Sequence, residues 1–381
     1  MSKTAGNCHK LIDSGKALAD ICAEIVEAGR VAVDTEFFWE RTFYPELGIV
    51  QLAIDQNNAW LLDIPALSDQ LAPLGRILAD PEIEKIIHDA KQDLTILRLA
   101  TGFYPKNIFD TRLAAGFVGP SASISLLDAC REFTGEILTK EETRSNWLQR
   151  PLTEKQCQYA LKDVIFLPRL RDEIISRADA LGRRDWLVEE MKIYDIPENY
   201  DDPPIDEVYS KVKGCSRLSR SQLAVLRELA AWREKEARRR NRPRRHILPD
   251  EPLITLATRQ PANVAKLKED CGLSPRAVKR YGVQLLAVIE KSLQLSPENH
   301  PLSQRKSQNQ KFSSQSRKIL DLISGLCKNN FIDHALIANR KEVEKLLQTT
   351  DKKNCDIPLL QGWRHAYAGE RILDILQSET P

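Results

Sequence analysis

The chain changes its pattern once along its length, and that change constrains its fold more than any other feature. In the first part, apolar runs of strand length interleave with segments of helical period; afterwards every periodic segment is helical. Val31-Ala32-Val33 runs directly into Asp34, and residues 48–54 and 59–64 flank the turn-forming Asp55-Gln56-Asn57-Asn58, which predicts a hairpin. Lys85-Ile86-Ile87-His88 predicts another strand, with a helix over 91–100. Thr153 and Gln156 make a capping-box pattern, after which Tyr159, Ala160, Asp163, Phe166, Leu167 and Leu170 keep the spacing of one helix. The fold class that follows is α/β and then all-α: a mixed sheet flanked by helices, succeeded by two small helical domains.

A length of 381 residues allows two or three such domains. The first is expected over 1–200. Asp201-Asp202-Pro203-Pro204 breaks regular structure and opens a linker over 201–214. A helical domain over 215–294 follows, with Ser219 and Gln222 capping one helix and Ser274-Pro275 starting another. Residues 295–315 are rich in Ser, Gln, Asn, Pro and Lys and read as a flexible linker, leaving a last helical domain over 316–381.

Charge divides the chain more sharply than its total suggests. Residues 1–210 carry 23 Lys and Arg against 36 Asp and Glu, a net −13, whereas the remainder carries 33 against 18, a net +15. A basic half attracts polyanions, and an acidic half acting on the same polyanion needs cations to overcome repulsion. No apolar run approaches 18 residues, so no membrane partner is expected. The first residues carry no secretory pattern, and the eight cysteines are scattered without a CxxC pair, which points to reduced thiols and a cytoplasmic protein.

Four carboxylates then stand out by position. Asp34 and Glu36 lie two apart at a strand end and share a face; Asp93 begins the helix after another strand; Asp163 lies on the capped helix with Tyr159 four residues before it. Brought together they would repel unless divalent cations neutralised them, and oxygen-only ligation suits two Mg2+ or Mn2+ ions. Such a pair serves in-line phosphodiester hydrolysis. Taken alone, an Asp-x-Glu pair is also what a solvated strand end carries, and a half-buried Tyr159 holding the helix to the sheet is the lesser alternative to a role in chemistry. His88 is expected to pack rather than bind metal, while Asp89 and Asp110 are equally explained as helix-cap or strand-end residues.

The segments Val31-Ala32-Val33-Asp34-Thr35-Glu36-Phe37 with Gly48-Ile49-Val50-Gln51-Leu52-Ala53, His88-Asp89-Ala90-Lys91-Gln92-Asp93-Leu94, and Tyr159-Ala160-Leu161-Lys162-Asp163-Val164 resemble the three motifs of the DEDD superfamily of 3′-5′ exonucleases, in its tyrosine subgroup. Ser145-Asn146-Trp147, Arg150-Pro151-Leu152 and Phe109-Asp110-Thr111 are further similar to the ribonuclease D family. The resemblance implies a ribonuclease H-like mixed sheet. It makes Asp34, Glu36, Asp93 and Asp163 ligands of two metal ions and Tyr159 the group that positions the attacking water. It also implies RNA with a free 3′ end as substrate, tRNA precursors in particular, with no obligate protein partner.

In the basic half, residues 218–293 resemble the HRDC module, and the C-terminal domain looks like a second, diverged copy. Arg238, Arg239, Arg240, Arg242, Arg244 and Arg245 form the densest charge run, and Arg280-Tyr281 offers a cation and a stacking ring for nucleic acid. These domains are expected to hold substrate, so that removing 211–381 weakens binding but spares hydrolysis of short oligomers. A DNA exonuclease with the same carboxylates, and a catalytically idle RNA-binding scaffold, remain open at this point.

Overall fold

The computed structural model describes residues 11–119, 121–138, 145–302, 310–328, 330–349 and 356–378. The chain sorts into two compact units: Met1–Phe38 with Leu47–Asp201 and Asn309–Pro381, and Trp39–Glu46 with Asp202–Gln308. In chain order the first unit begins with β1 (Leu11–Ile12), α1 (Gly15–Ala28), β2 (Arg30–Phe38), β3 (Glu46–Ala53), β4 (Ala59–Asp63), α2 (Ile64–Leu67) and α3 (Ala72–Ala79). It continues with β5 (Glu84–Ile87), α4 (Lys91–Thr101), β6 (Ile108–Asp110), α5 (Thr111–Val118), α6 (Leu126–Ala129), α7 (Glu154–Ile165), α8 (Leu167–Ala180) and α9 (Arg184–Met191).

The strands form one mixed sheet in the order β1-β4-β3-β2-β5-β6, with β3 and β4 as the expected antiparallel hairpin and β2, β5 and β6 parallel. Strand alternation sets the layers. Val31 and Val33 of β2 pack on one side with Leu18 and Ile25 of α1 and Leu94 and Leu97 of α4, whereas Ala32 faces the other side with Val164 of α7 and Leu170 of α8. Continuing that alternation puts Asp34 and Glu36 on the α7 side. The ladder between β2 and β5 ends at Ala32 and Ile86, so the acidic end of β2 runs past its neighbour.

One helix was expected over the capped segment, and two are found. Thr153 and Gln156 do form a capping box on α7, but the chain turns at Phe166. Pro168, in the first turn of α8, has no N–H to continue the α7 ladder.

The second unit contains α10 (Arg220–Arg239), α11 (Arg244–Ile247), α12 (Asp250–Arg259), α13 (Val264–Glu269) and α14 (Pro275–Leu293) around a core of Leu223, Leu226, Leu229, Leu253, Leu256 and Leu285. Within the expected linker over 201–214, a 3-10 turn at Val208–Lys211 packs Val208 and Val212 into this core. Of the linker expected over 295–315, the beginning is fastened by Arg220 to the carbonyls of Pro297 and His300 and by Arg227 to that of Asn299. Residues 303–309 lie outside the described residues, and from Gln310 the chain is already helical.

That helix, α15 (Gln310–Lys328), is followed by α16 (Arg340–Gln348), α17 (Gly362–Arg364) and α18 (Glu370–Ser378), and all four belong to the first unit. Ile323, Val343, Leu359, Trp363 and Ile372 form one continuous core with Phe117, Ile174 and Leu187. Trp363 stacks on Trp186 at 5.2 Å and meets Phe117 edge-on at 5.0 Å. Arg364 pairs with Glu190 at 2.7 Å, and the buried Arg183 donates to the carbonyls of Phe117, Asn330 and Phe331. Gly362 has φ +48 and a side chain there would strike the Glu189 carboxylate, whose oxygens accept from Trp363 N at 3.3 Å. The expectation that these helices can be removed without harming the acidic half is therefore corrected, because the two share one buried core.

Candidate active site

β2 supplies Asp34 and Glu36 from a strand whose first half is locked into the sheet and whose acidic end runs free of β5. α7 lies against β2, held there by Ala160 and Val164, both fully buried, and carries Tyr159 and Asp163 one turn apart. α4 starts just beyond the end of β5 and brings Asp93 into its first turn from the other side of the sheet. Thr35, which alternation turns toward that side, donates its hydroxyl to the Asp93 carboxylate. All five residues singled out for chemistry thus come to one end of β2.

Burial raises every carboxyl of the site, and at Asp34 and Glu36 the charges of neighbouring carboxylates add to it. Burial, followed by the charges of Asp93, Asp163 and Glu36, holds the Asp34 carboxyl well above the usual carboxylate range. Glu36 is pushed up to about 8 by burial and then by Asp163 and Asp93. Burial takes Asp163 to about 7 against the opposing hydrogen bond from Tyr159, and Asp93 to about 6 against that from Thr35. The Tyr159 phenol is raised above its ordinary value, by burial first and then by Asp163, Glu36 and Asp34. At neutral pH it is therefore a proton donor to Asp163, not a base.

Two neighbours complete the site. Gln51 of β3, fully buried, donates Nε2 to Asp34 Oδ2 at 3.4 Å while its Oε1 is buried without a partner among the described residues. Trp147 is 3% exposed and packs 6.2 Å from the Tyr159 ring. The loop bearing Trp147 comes so near β3 that a Cβ on Gly48 would lie 2.5 Å from the Trp147 carbonyl oxygen. Arg150 fixes the loop by a bidentate pair with Asp63 at 2.7 and 2.8 Å and by donating to the carbonyls of Gly48, Trp147 and Gln149.

Among the described residues no three His, Cys, Asp or Glu side chains form a ready-made metal cage. The donor set nevertheless fits hard divalent cations. It is all oxygen, it repels itself without a positive charge, and Gln51 leaves a buried acceptor beside Asp34. Ions of this kind keep waters and draw substrate phosphates as ligands rather than filling a closed protein cage.

His88 packs and Asp110 caps a helix, as expected, whereas Asp89 forms an ion pair in place of the cap or strand-end role expected of it. His88 bonds Thr111 Oγ1 at 2.9 Å and the Ile124 carbonyl at 3.1 Å; Asp89 pairs with Arg112; Asp110 caps α5. The second unit requires corrections. Tyr281 is 5% exposed and meets Trp232 edge-on at 5.3 Å, so its ring is packed into the core and only its edge reaches the neighbouring cavity. Its spacing from Val278 and Leu285 on α14 put it on the apolar stripe. Arg238 and Arg244 pair with Glu234, and Arg239 and Arg240 with Glu236, on carboxylates nearly sealed from solvent. Among the described residues Arg242 donates only to the Arg41 carbonyl, at 3.5 Å. Arg245 and Arg280 have no carboxylate partner among the described residues, and with Arg276, a residue the sequence reading passed over, they line a cavity of about 430 Å³.

The 3′-5′ exonuclease family matches residues 10–178, which include every carboxylate of the site, and the HRDC domain matches 222–289. Ribonuclease D of Desulfotalea psychrophila is 39% identical over 364 residues, covering 94% of this chain and 96% of the relative. The chain belongs to the ribonuclease D family. Ribonuclease D of Escherichia coli K12 is 30% identical over 373 residues, 97% of this chain and 98% of the relative. The crystal structure of the Escherichia coli enzyme, described as an exoribonuclease involved in structured RNA processing, superposes with a TM-score of 0.87 at 29% identity, covering 97% of this chain and 99% of that one. As a family member the chain is a 3′-5′ exoribonuclease, a hydrolase of RNA. Enzymes of this class work with divalent metal ions. No helix among the described residues is long and apolar enough to cross a membrane.

Proposed function

We propose that Asp34, Glu36, Asp93 and Asp163 bind two Mg2+ or Mn2+ ions and that the enzyme removes 5′-mononucleotides one at a time from RNA 3′ ends, tRNA precursors among them. The supporting observation is that burial raises all four carboxyls and that Asp34 and Glu36 are raised further by the charges of Asp93 and Asp163, as expected of acids gathered where positive charge is to be bound. Ions bound there neutralise the carboxylates and supply the Lewis acidity that phosphodiester hydrolysis needs. Thr35 holds Asp93, Gln51 holds Asp34, and Tyr159 holds Asp163 through its hydroxyl. Tyr159 keeps its proton at the working pH and so orients the attacking water by hydrogen bonding without deprotonating it.

Residues 215–294 serve as an RNA-holding domain and 316–381 as a second HRDC-like domain built onto the catalytic unit. With Tyr281 in the core and four arginines engaged by glutamates, backbone phosphates fall to Arg242, Arg245, Arg276 and Arg280. The six described cysteines are buried and unbridged, as in a cytoplasmic enzyme; Cys8 and Cys355 lie outside the described residues.

The test is incubation of 3′-extended RNA and the matched DNA with Mg2+, Mn2+ or EDTA, resolving products by length. A ladder shortening from the 3′ end of RNA, absent in EDTA, supports the reading. Equal digestion of DNA removes the RNA preference, and undiminished cleavage in EDTA removes the metal ions.

A further inference from the structure

α4 delivers Asp93 yet has no side-chain cap of its own: its N-cap residue is Ala90, which offers no acceptor. The acceptor comes from the adjacent strand. Asp110, 3% exposed at the end of β6, takes the N–H of Asp89 on Oδ1 at 3.1 Å and the N–H of Ala90 on Oδ2 at 3.0 Å. The same Oδ1 accepts from Arg112 N at 2.8 Å and Leu113 N at 3.2 Å, which caps α5, and Oδ2 accepts the Tyr194 hydroxyl at 2.6 Å. Five donors therefore converge on one carboxylate.

The turn so held is unusual. Asp89 adopts φ +66, a left-handed conformation that Asp tolerates better than most non-glycine residues, and the Asp110 contacts hold it there. That kink is what redirects the chain from β5 into α4 and sets where Asp93, four residues on, lies relative to Asp34. Asp110 sits level with Ile87 in the β5–β6 ladder, so its own position is set by the sheet.

We infer that Asp110, braced by Tyr194, is a positioning residue that caps α4 from outside and thereby fixes the Asp93 carboxylate for cation binding. The inference rests on Asp93 being a metal ligand. Asp110→Asn keeps the shape but turns one acceptor into an amide donor facing N–H or O–H groups; Tyr194→Phe removes a single donor and leaves the capping contacts in place.

The measurement is Mn2+ affinity by isothermal titration calorimetry on the full chain, with the melting temperature taken on the same samples. Asp110→Asn is expected to weaken Mn2+ binding about tenfold or more, the usual effect of removing a group that orients a metal ligand. Tyr194→Phe is expected to weaken it about fivefold with little change in melting temperature. Leu18→Ala, a core truncation in α1, controls for destabilisation alone and should leave the affinity unchanged. If Asp93→Asn loses Mn2+ binding while Asp110→Asn and Tyr194→Phe keep it, the positioning role is refuted. Unaltered binding in Asp93→Asn refutes the ligand assignment itself and the inference with it. Should Asp110→Asn fail to fold, Tyr194→Phe decides.

Discussion

Replacing Arg150 by alanine tests whether the loop that places Trp147 against Tyr159 is held as described. Arg150 makes a bidentate ion pair with Asp63, whose side chain is 9% exposed, and three further hydrogen bonds to carbonyl oxygens. Removing one partner of a buried pair costs about 3–5 kcal/mol, because the other charge stays buried without compensation. Asp63 retains the N–H of Ala66 at 3.3 Å, which argues for the lower end, while Gly48 O loses its guanidinium donor. We therefore expect a loss of about 3–4 kcal/mol, or a fall in melting temperature of roughly 6–12 °C for a unit of this size. Urea unfolding should show a lower midpoint at unchanged slope, and Asp63→Ala combined with Arg150→Ala should recover part of the loss as a coupling energy of about 2 kcal/mol. A single variant within about 1 kcal/mol of wild type, or a double variant equal to the sum of the singles, would refute the reasoning.

Other outcomes follow from the same geometry. Asp163→Asn should abolish RNA hydrolysis while leaving RNA binding by filter retention largely intact, and Tyr159→Phe should lower turnover with little effect on binding; wild-type rates in either remove that residue from the site. In EDTA, stability should fall between about pH 5 and 8. Carboxyls raised in the folded state bind protons more tightly there than unfolded, so their contribution is complete below about pH 4 and is lost as pH rises through about 6, 7 and 8 for Asp93, Asp163 and Glu36. Mg2+ should flatten that decline, and a flat melting profile in EDTA would contradict it. Truncation after residue 308 should leave the remaining chain poorly folded, because Trp186, Phe117 and Leu187 lose the core contributed by Trp363, Ile323 and Ile372; a cooperative melt at the wild-type temperature would show otherwise.

The catalytic end of the sheet was legible because its signals are local. The Asp-x-Glu pair follows an apolar strand run, the capping box marks the start of α7, and a four-residue offset joins Tyr159 to Asp163. Two misreadings had signals that composition hid. Glu234 and Glu236 stand at helical offsets from Arg238 and Arg240, so the basic run was partly neutral from the outset, and Tyr281 falls in step with Val278, Leu285 and Ile289. Pro168 marked the break between α7 and α8. What no spacing could show depends on distant backbone. Arg183 finds carbonyl partners about 147 residues away, and Asp110 caps a helix that begins about 20 residues before it. Such acceptors are invisible until the chain is folded, since any carbonyl in the sequence could serve.

Anomalous diffraction from crystals soaked in Mn2+ addresses the central claim most directly. Two peaks roughly 4 Å apart are expected at the end of β2, with oxygens of Asp34, Glu36, Asp93 and Asp163 within ligand distance. Peaks elsewhere, or none at these four side chains while the crystals remain intact, would contradict it.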